Sequence, residues 1–311
     1  MFEPVGLQPD LVVRSGRGRF QLRDAMIPTR VITLLVIPGL VLVGAVPASV
    51  SEVDPIFSDR FKDLSFQDCD DCPRMVMIPA GTFVQGSPVT EPESTLEERP
   101  QREVSVPAFA MGRTAVTFDE WEACVNDLGC THNPDDQAWG RNSRPVINVS
   151  WDDAQEYVIW LSNKTGHDYR LPSESEWEYA VRAGTTGRFN TGDCITTDQA
   201  NFDGRIPAKD CPVGIFRHQT EPVGSFGRNA FGLYDTHGNV WELVQDCANP
   251  DYNGAPTDGS AWMSGFCDFA VLRGGSWGNQ GHQVRSASRN DSNRDTRFLN
   301  GGFRVARSVD L

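Results

Sequence analysis

The sulfurs that can act as nucleophiles or soft metal ligands all lie before residue 268. The cysteines fall as Cys69/Cys72, Cys124/Cys130, Cys194/Cys211 and Cys247/Cys267, and the last methionine is Met263. Eight cysteines admit on the order of a hundred connectivities, so nearest-neighbour pairing is the simplest choice and not a deduction. Cys69-Asp-Asp-Cys72 also has the spacing of a redox dithiol. Its two carboxylates would raise the thiol pKa values and oppose thiolate formation, and no βαβ pattern surrounds it, so a disulfide is the better reading. His132, His167, His218, His237 and His282 show neither zinc spacing nor HExxH and read as separate polar groups. Gly274-Gly275 lacks the lysine and helix of a phosphate loop. After Cys267, His282 is the one conventional borderline metal ligand left.

That sulfur-free end is rich in hydrogen-bonding side chains. Residues 278–301 run Gly-Asn-Gln-Gly-His-Gln and, later, Arg289-Asn-Asp-Ser-Asn-Arg-Asp-Thr-Arg-Phe-Leu-Asn-Gly301. Small polar and amide side chains are typical of adaptable recognition loops. An ordinary polar loop remains an equal alternative.

Three helices must position these residues, each announced by a capping box. Thr117 precedes Glu120, with Phe118, Trp121, Cys124 and Val125 on one face. Ser150 precedes Asp153, with Trp151, Ala154, Tyr157, Val158 and Leu161 as the apolar stripe. Ser173 precedes Glu176, with Trp177, Ala180 and Val181 inward. These stripes read as core packing. Strands are expected at Met75–Ile78, Thr82–Val84, Val104–Met111, Val240–Val244 and Phe303–Ala306, with a loop-rich chain beyond Gly184. Loops this long need disulfides, ions or function to hold them.

The N-terminus carries an export signal that starts inside the chain. Met26-Ile-Pro-Thr-Arg30 is a charged n-region, Val31–Val46 an apolar run, and Val46-Pro47-Ala48 a small-residue cleavage site. The run is about 16 residues, short of the roughly 20 that span a bilayer. An uncleaved anchor is the alternative and the one membrane association expected. Residues 1–48 thus form an extension and signal, 49–72 a linker with the CxxC, and 73–308 a single domain. Export places the protein in the periplasm or outside the cell, where disulfides persist. Cleavage removes five basic and three acidic residues, taking the net charge from −14 to −16. Such a chain is unsuited to nucleic acid, which needs a basic surface.

Several ordered motifs resemble the formylglycine-generating enzyme, or sulfatase-modifying factor, family. They are Ile78-Pro-Ala-Gly-Thr-Phe83, Asn148-Val-Ser-Trp151, Leu171-Pro-Ser-Glu-Ser-Glu-Trp-Glu-Tyr-Ala180, Asn229-Ala-Phe-Gly-Leu-Tyr-Asp235, Gly238-Asn-Val-Trp-Glu242, Arg273-Gly-Gly-Ser-Trp277 and Gly302-Phe-Arg304. The resemblance covers about residues 73–307 and implies the family's variant of the C-type lectin fold, a single loop-rich α+β domain. It implies a copper(I) site between two active-site cysteines, whose positions here fall at Asn279 and near His282. Copper(I) selects soft thiolates, so copper is not expected and no catalytic residue is assigned. The resemblance also implies a calcium site at Asp235, the Gly238 and Val240 carbonyls and Glu242, an oxygen set of the kind calcium takes. A second calcium site aligns at Asn201 and the Phe202 carbonyl, but the expected downstream acid is missing.

Three functions follow as expectations. The lead is a ligand- or protein-binding domain, its partner a protein or small polar ligand held by Asn279, His282, Arg285, Asn290, Arg294 and Phe298. These are expected exposed on one face, with Trp277 and Phe303 as buried anchors. This segment also resembles the variable region of proteins diversified by retroelements, where adenine mutagenesis acts on asparagine codons. Many of its residues are reachable that way, although Gln280 and Gln283 are not. The runner-up is an oxidase of the formylglycine-generating type, or a relative with altered chemistry, acting on a protein. The third is an inactive scaffold subunit.

Overall fold

All three capping boxes form, and each does the same local work. Thr117, Ser150 and Ser173 accept the N–H of the third helical residue, whose carboxylate returns to the cap's own N–H. They start α1 (Phe118–Asn126), α2 (Trp151–Thr165) and α3 (Glu174–Arg182). The structure is a computed structural model that describes residues 65–309; the export segment and the linker up to residue 64 lie outside the described residues.

The strands are β1 (Ser65–Phe66), β2 (Met75–Ile78), β3 (Gly81–Gln85), β4 (Arg102–Val106), β5 (Phe109–Gly112), β6 (Tyr169–Arg170), β7 (Trp241–Ala248), β8 (Phe266–Arg273), β9 (Arg289–Asn293), β10 (Gly301–Phe303) and β11 (Ala306–Ser308). One sheet runs β1-β2-β5-β11-β6, a second β10-β7-β8-β9, and β3-β4 form a ribbon. In the second sheet β10 pairs parallel to β7, and the other pairs are antiparallel. This is the α+β, loop-rich architecture that the resemblance implies.

The differences from expectation have local causes. Val104–Met111 is two strands because Pro107, which lacks an N–H, separates β4 on β3 from β5 between β2 and β11. Phe303–Ala306 likewise straddles β10 and β11, which serve different sheets. Residues 65–72 belong to the packed domain: β1 pairs with β2, and Cys72 is in the core. The cysteines are bonded as Cys69–Cys72, Cys124–Cys130, Cys194–Cys211 and Cys247–Cys267.

One core lies between α1, α2 and the sheets, with Trp121 stacked on Tyr157 and Phe303 edge-on to both. A second surrounds α3, whose nine residues are all buried. Such a helix must pair its charges internally. Glu178 accepts from Arg182 at 2.9 Å and Arg273 at 2.6 Å, Glu176 from Arg170 at 2.7 Å, and Glu174 from Arg289 at 2.6 Å.

Candidate functional site

The sulfur-free segment leaves β8 through a turn that glycine alone can make. Gly274 and Gly275 have φ of +89° and +70°, and a Cβ on Gly275 would lie 2.5 Å from a Val284 methyl. Beneath the turn, buried Arg273 donates to Glu178 at 2.6 Å and to the carbonyls of Ser286, Ala287 and Ser288 at 2.9, 2.9 and 2.6 Å. Residues 276–284 are therefore carried on a rigid base.

Asn279 is the residue at which the resemblance leads one to expect the first thiolate. Its side-chain oxygen accepts from the Ser276 hydroxyl at 2.5 Å, and its main-chain carbonyl accepts from the Asp203 N–H at 2.9 Å. The Asn300 amide donates to the same Ser276 oxygen at 3.0 Å. His282 is half-buried; its carbonyl accepts from Arg285 Nε at 2.8 Å. All eight cysteines are in disulfides, so no thiol faces either residue.

Trp277 differs from the expected buried anchor. It is half-buried, edge-on to Trp139 at 5.3 Å and stacked on Phe216 at 5.9 Å. Phe216 also meets His218 at 3.9 Å and the Arg205 guanidinium at 4.3 Å, and Arg205 forks onto Asp203 at 2.9 and 2.8 Å. Trp139, Asp203, Arg205 and Phe216 were missed because they come from three separate loops. The signal open to sequence was a large aromatic in each of two polar, aperiodic stretches.

The six expected ligand residues do not form one surface. Arg285 is corrected outright: it is 1% exposed, donates to Glu98 at 2.8 and 2.5 Å and to Glu91 at 2.6 Å, and is a strut. Phe298 is half-buried against the first core, and Arg294 lies over the Trp151 ring at 3.9 Å. Asn290 is exposed on β9 and lines a 240 Å³ cavity that none of the other five lines. The fork of Arg285 onto Glu98 outweighs the upward push of burial and leaves the Glu98 carboxyl below its usual range.

The proposed cation positions are organised by Gly238, whose φ is +76°; a Cβ there would lie 2.2 Å from the Asn201 carbonyl oxygen. Asn201 pairs with Gly238 in a parallel bridge, and its amide N–H₂ donates to Asn239 Oδ1 at 3.1 Å. Among the described residues, two buried side-chain oxygens that can only accept hydrogen bonds lack a partner: Asp235 Oδ1 and Asn201 Oδ1. A buried orphan acceptor is costly unless a donor or cation meets it, so both positions fit an oxygen-liganded cation. Burial pushes the Asp235 carboxyl up to about 6, although Gly224 N–H donates to Oδ2 at 2.7 Å. Glu242, of the same expected set, is already hydrogen-bonded. Its carboxylate accepts from Trp177 Nε1 at 2.6 Å and from Arg304 at 2.6 and 2.5 Å, so Arg304 already compensates its charge. Burial pushes the nearby His237 down to about 4; neutral, it bonds the Val284 carbonyl at 2.8 Å through Nδ1 and accepts from Asn190 N–H at 3.2 Å through Nε2.

Comparison with known proteins agrees with this frame. A family model for the sulfatase-modifying factor enzyme 1-like domain matches residues 61–309. The formylglycine-generating enzyme of Streptomyces coelicolor is 36% identical over 184 residues, 55% of this chain and 55% of that enzyme. This chain therefore matches about half the length of that relative. The inactive C-alpha-formylglycine-generating enzyme 2 of Mus musculus is 28% identical over 76% of this chain and 86% of its own. Among solved structures, PvdO from Pseudomonas aeruginosa superposes with a TM-score of 0.71 at 38% identity, over 79% of this chain and 98% of PvdO. The chain belongs to the sulfatase-modifying factor family and has its formylglycine-generating-enzyme variant of the C-type lectin fold.

Proposed function

We propose that this protein is an exported binding member of the family that performs no thiol-dependent oxidation, and that its C-terminal polar segment contacts the ligand. The observation that carries this reading is the chemistry at Asn279. An amide cannot form a thiolate, its oxygen is held by Ser276, and every cysteine is in a disulfide. No free thiol is present to ligate a soft metal as thiolate or to attack a substrate disulfide. A family relative from mouse already described as inactive lends support. The partner is a protein or a small polar ligand, and diversification of residues 278–301 remains part of the proposal.

Four disulfides belong to an oxidising compartment, and export from Met26 with cleavage after Ala48 accounts for them. Calcium supports the loops that frame the segment. It is held at Asp235 with the Gly238 and Val240 carbonyls and Glu242 and, in the second position, at Asn201 with the Phe202 carbonyl. The two orphaned oxygens support this assignment. Calcium here would supply charge compensation and loop order.

The test is direct. The mature chain, with and without copper, is incubated with a peptide carrying a sulfatase Cys-x-Pro-x-Arg motif and assayed by mass spectrometry. An unmodified cysteine is expected, and formylglycine formed catalytically would overturn the proposal.

A further inference from the structure

Strand β9 is an edge whose outer side is open. It ends the sheet order β10-β7-β8-β9 and contains neither proline nor lysine, the residues that commonly blunt an edge. Its ladder phase follows from one bond. Arg294 N–H donates to the Asp268 carbonyl at 3.0 Å, in the same register as the pairs Phe269–Asn293 through Arg273–Arg289. Bonded and non-bonded pairs alternate in an antiparallel ladder. Ser292 and Asn290 therefore bond inward to β8, and Arg289, Asp291 and Asn293 direct main-chain groups outward. Thr296 takes the Asn293 carbonyl at 3.1 Å, whereas the Asp291 N–H and C=O have no partner among the described residues.

Beside this edge lies the 240 Å³ cavity, whose walls include Pro250, Phe266, Val271, Asn290 and Asp291. Phe266 is 65% exposed and Phe269 37%. The exposed charge around it is mostly acidic. Glu97, Asp268, Asp291 and Asp295 are exposed. Arg289 is consumed by Glu174 at 2.6 and 3.0 Å and the Glu97 carbonyl at 2.8 Å, and Arg294 covers Trp151.

We propose that β9 receives an extended, cationic peptide that adds to the sheet as a fifth strand and seats one apolar side chain in the cavity beside Phe266. Main-chain bonds supply affinity in such strand addition and the side-chain socket supplies selectivity; the acidic rim selects the charge and speeds encounter. The inference rests on the C-terminal segment being the binding surface and names its partner class.

The probe is fluorescein-labelled Lys-Thr-Val-Phe-Val-Thr-Lys amide, followed by fluorescence anisotropy on the mature chain. Saturable binding at about 100 µM or tighter is expected, with at least roughly 10-fold loss for the Glu-flanked counterpart and for a probe N-methylated at alternate residues. Asp291→Pro, which removes the outward N–H, should cost a similar factor at an unchanged melting temperature. Should that variant melt early, Phe266→Ala takes its place, since an exposed side chain can be truncated without unfolding. Absence of saturation, equal binding of the N-methylated probe, or full affinity in these variants would overturn the inference. None of those results bears on the formylglycine assay, so the two readings fail separately.

Discussion

Removing Arg285 should expose how firmly the C-terminal segment is anchored. Its guanidinium is 1% exposed, forks onto Glu98 at 2.8 and 2.5 Å, reaches Glu91 at 2.6 Å, and donates to the Glu93 carbonyl at 3.1 Å. Glu98 is itself fully buried. Arg285→Ala therefore strands a carboxylate in the interior, and breaking a buried pair from one side costs about 3–5 kcal/mol. For a domain of this size that lowers the melting temperature by roughly 10 °C, at about 2–4 °C per kcal/mol. The pH dependence identifies the cause. In the native protein the Glu98 carboxyl is depressed, because the Arg285 bonds and charge outweigh burial. Its contribution is present above the unfolded pKa and is lost as pH falls through the lower, folded value. In the variant burial acts unopposed and raises the carboxyl, so stability is greatest where Glu98 is protonated and falls as pH rises through the raised value. The gap between native and variant proteins should thus be wide at pH 7 and shrink as pH falls through the depressed Glu98 value. Asp235 and buried Asp246, which accepts from the Glu174 and Trp262 N–H groups, are pushed up by burial to about 6 and about 7; both titrate in the two proteins alike and cancel in the difference. Calorimetric melts across this range, with disulfides intact, provide the measurement. A loss below about 3 °C at pH 7, or a gap that does not close with acid, would refute the strut assignment.

Calcium should raise the melting temperature by binding the native state alone, and Asp235→Asn should remove most of the shift; equal melting in calcium and in chelator would reject the site. Gly238→Ala should destabilise strongly, by roughly 2 kcal/mol or more in denaturant titration, because φ is +76° and the new methyl would meet the Asn201 carbonyl at 2.2 Å. Trp277→Ala should leave a folded protein, losing about 1–3 kcal/mol, since the ring is half-buried among Trp139 and Phe216; global unfolding at 25 °C would show that it anchors the core after all.

What the sequence decided by itself was local or compositional. The helix starts were legible because each cap closes on a residue three positions away, within reach of one side chain. The nearest-neighbour cysteine pairs agree with the structure, and the absence of any thiol after Cys267 is read directly from the chain. The family frame was legible because glycines such as Gly274 and Gly275 are tied to backbone conformations that other residues resist. Pro107 was also legible, as the break within one expected strand, but the apolar run around it suggested continuity. Only the tertiary structure decided which polar residues face solvent. Arg285 looks like any loop arginine until Glu98, 187 residues earlier, is brought against it. Glu242 reads as a free ligand until Trp177 and Arg304 occupy it, and Trp277 reads as core until its neighbours prove to be rings from surface loops. An arginine or a tryptophan can serve inside or outside a fold. Which role it takes depends on the partner that chain topology delivers, and that partner is encoded far away in the sequence.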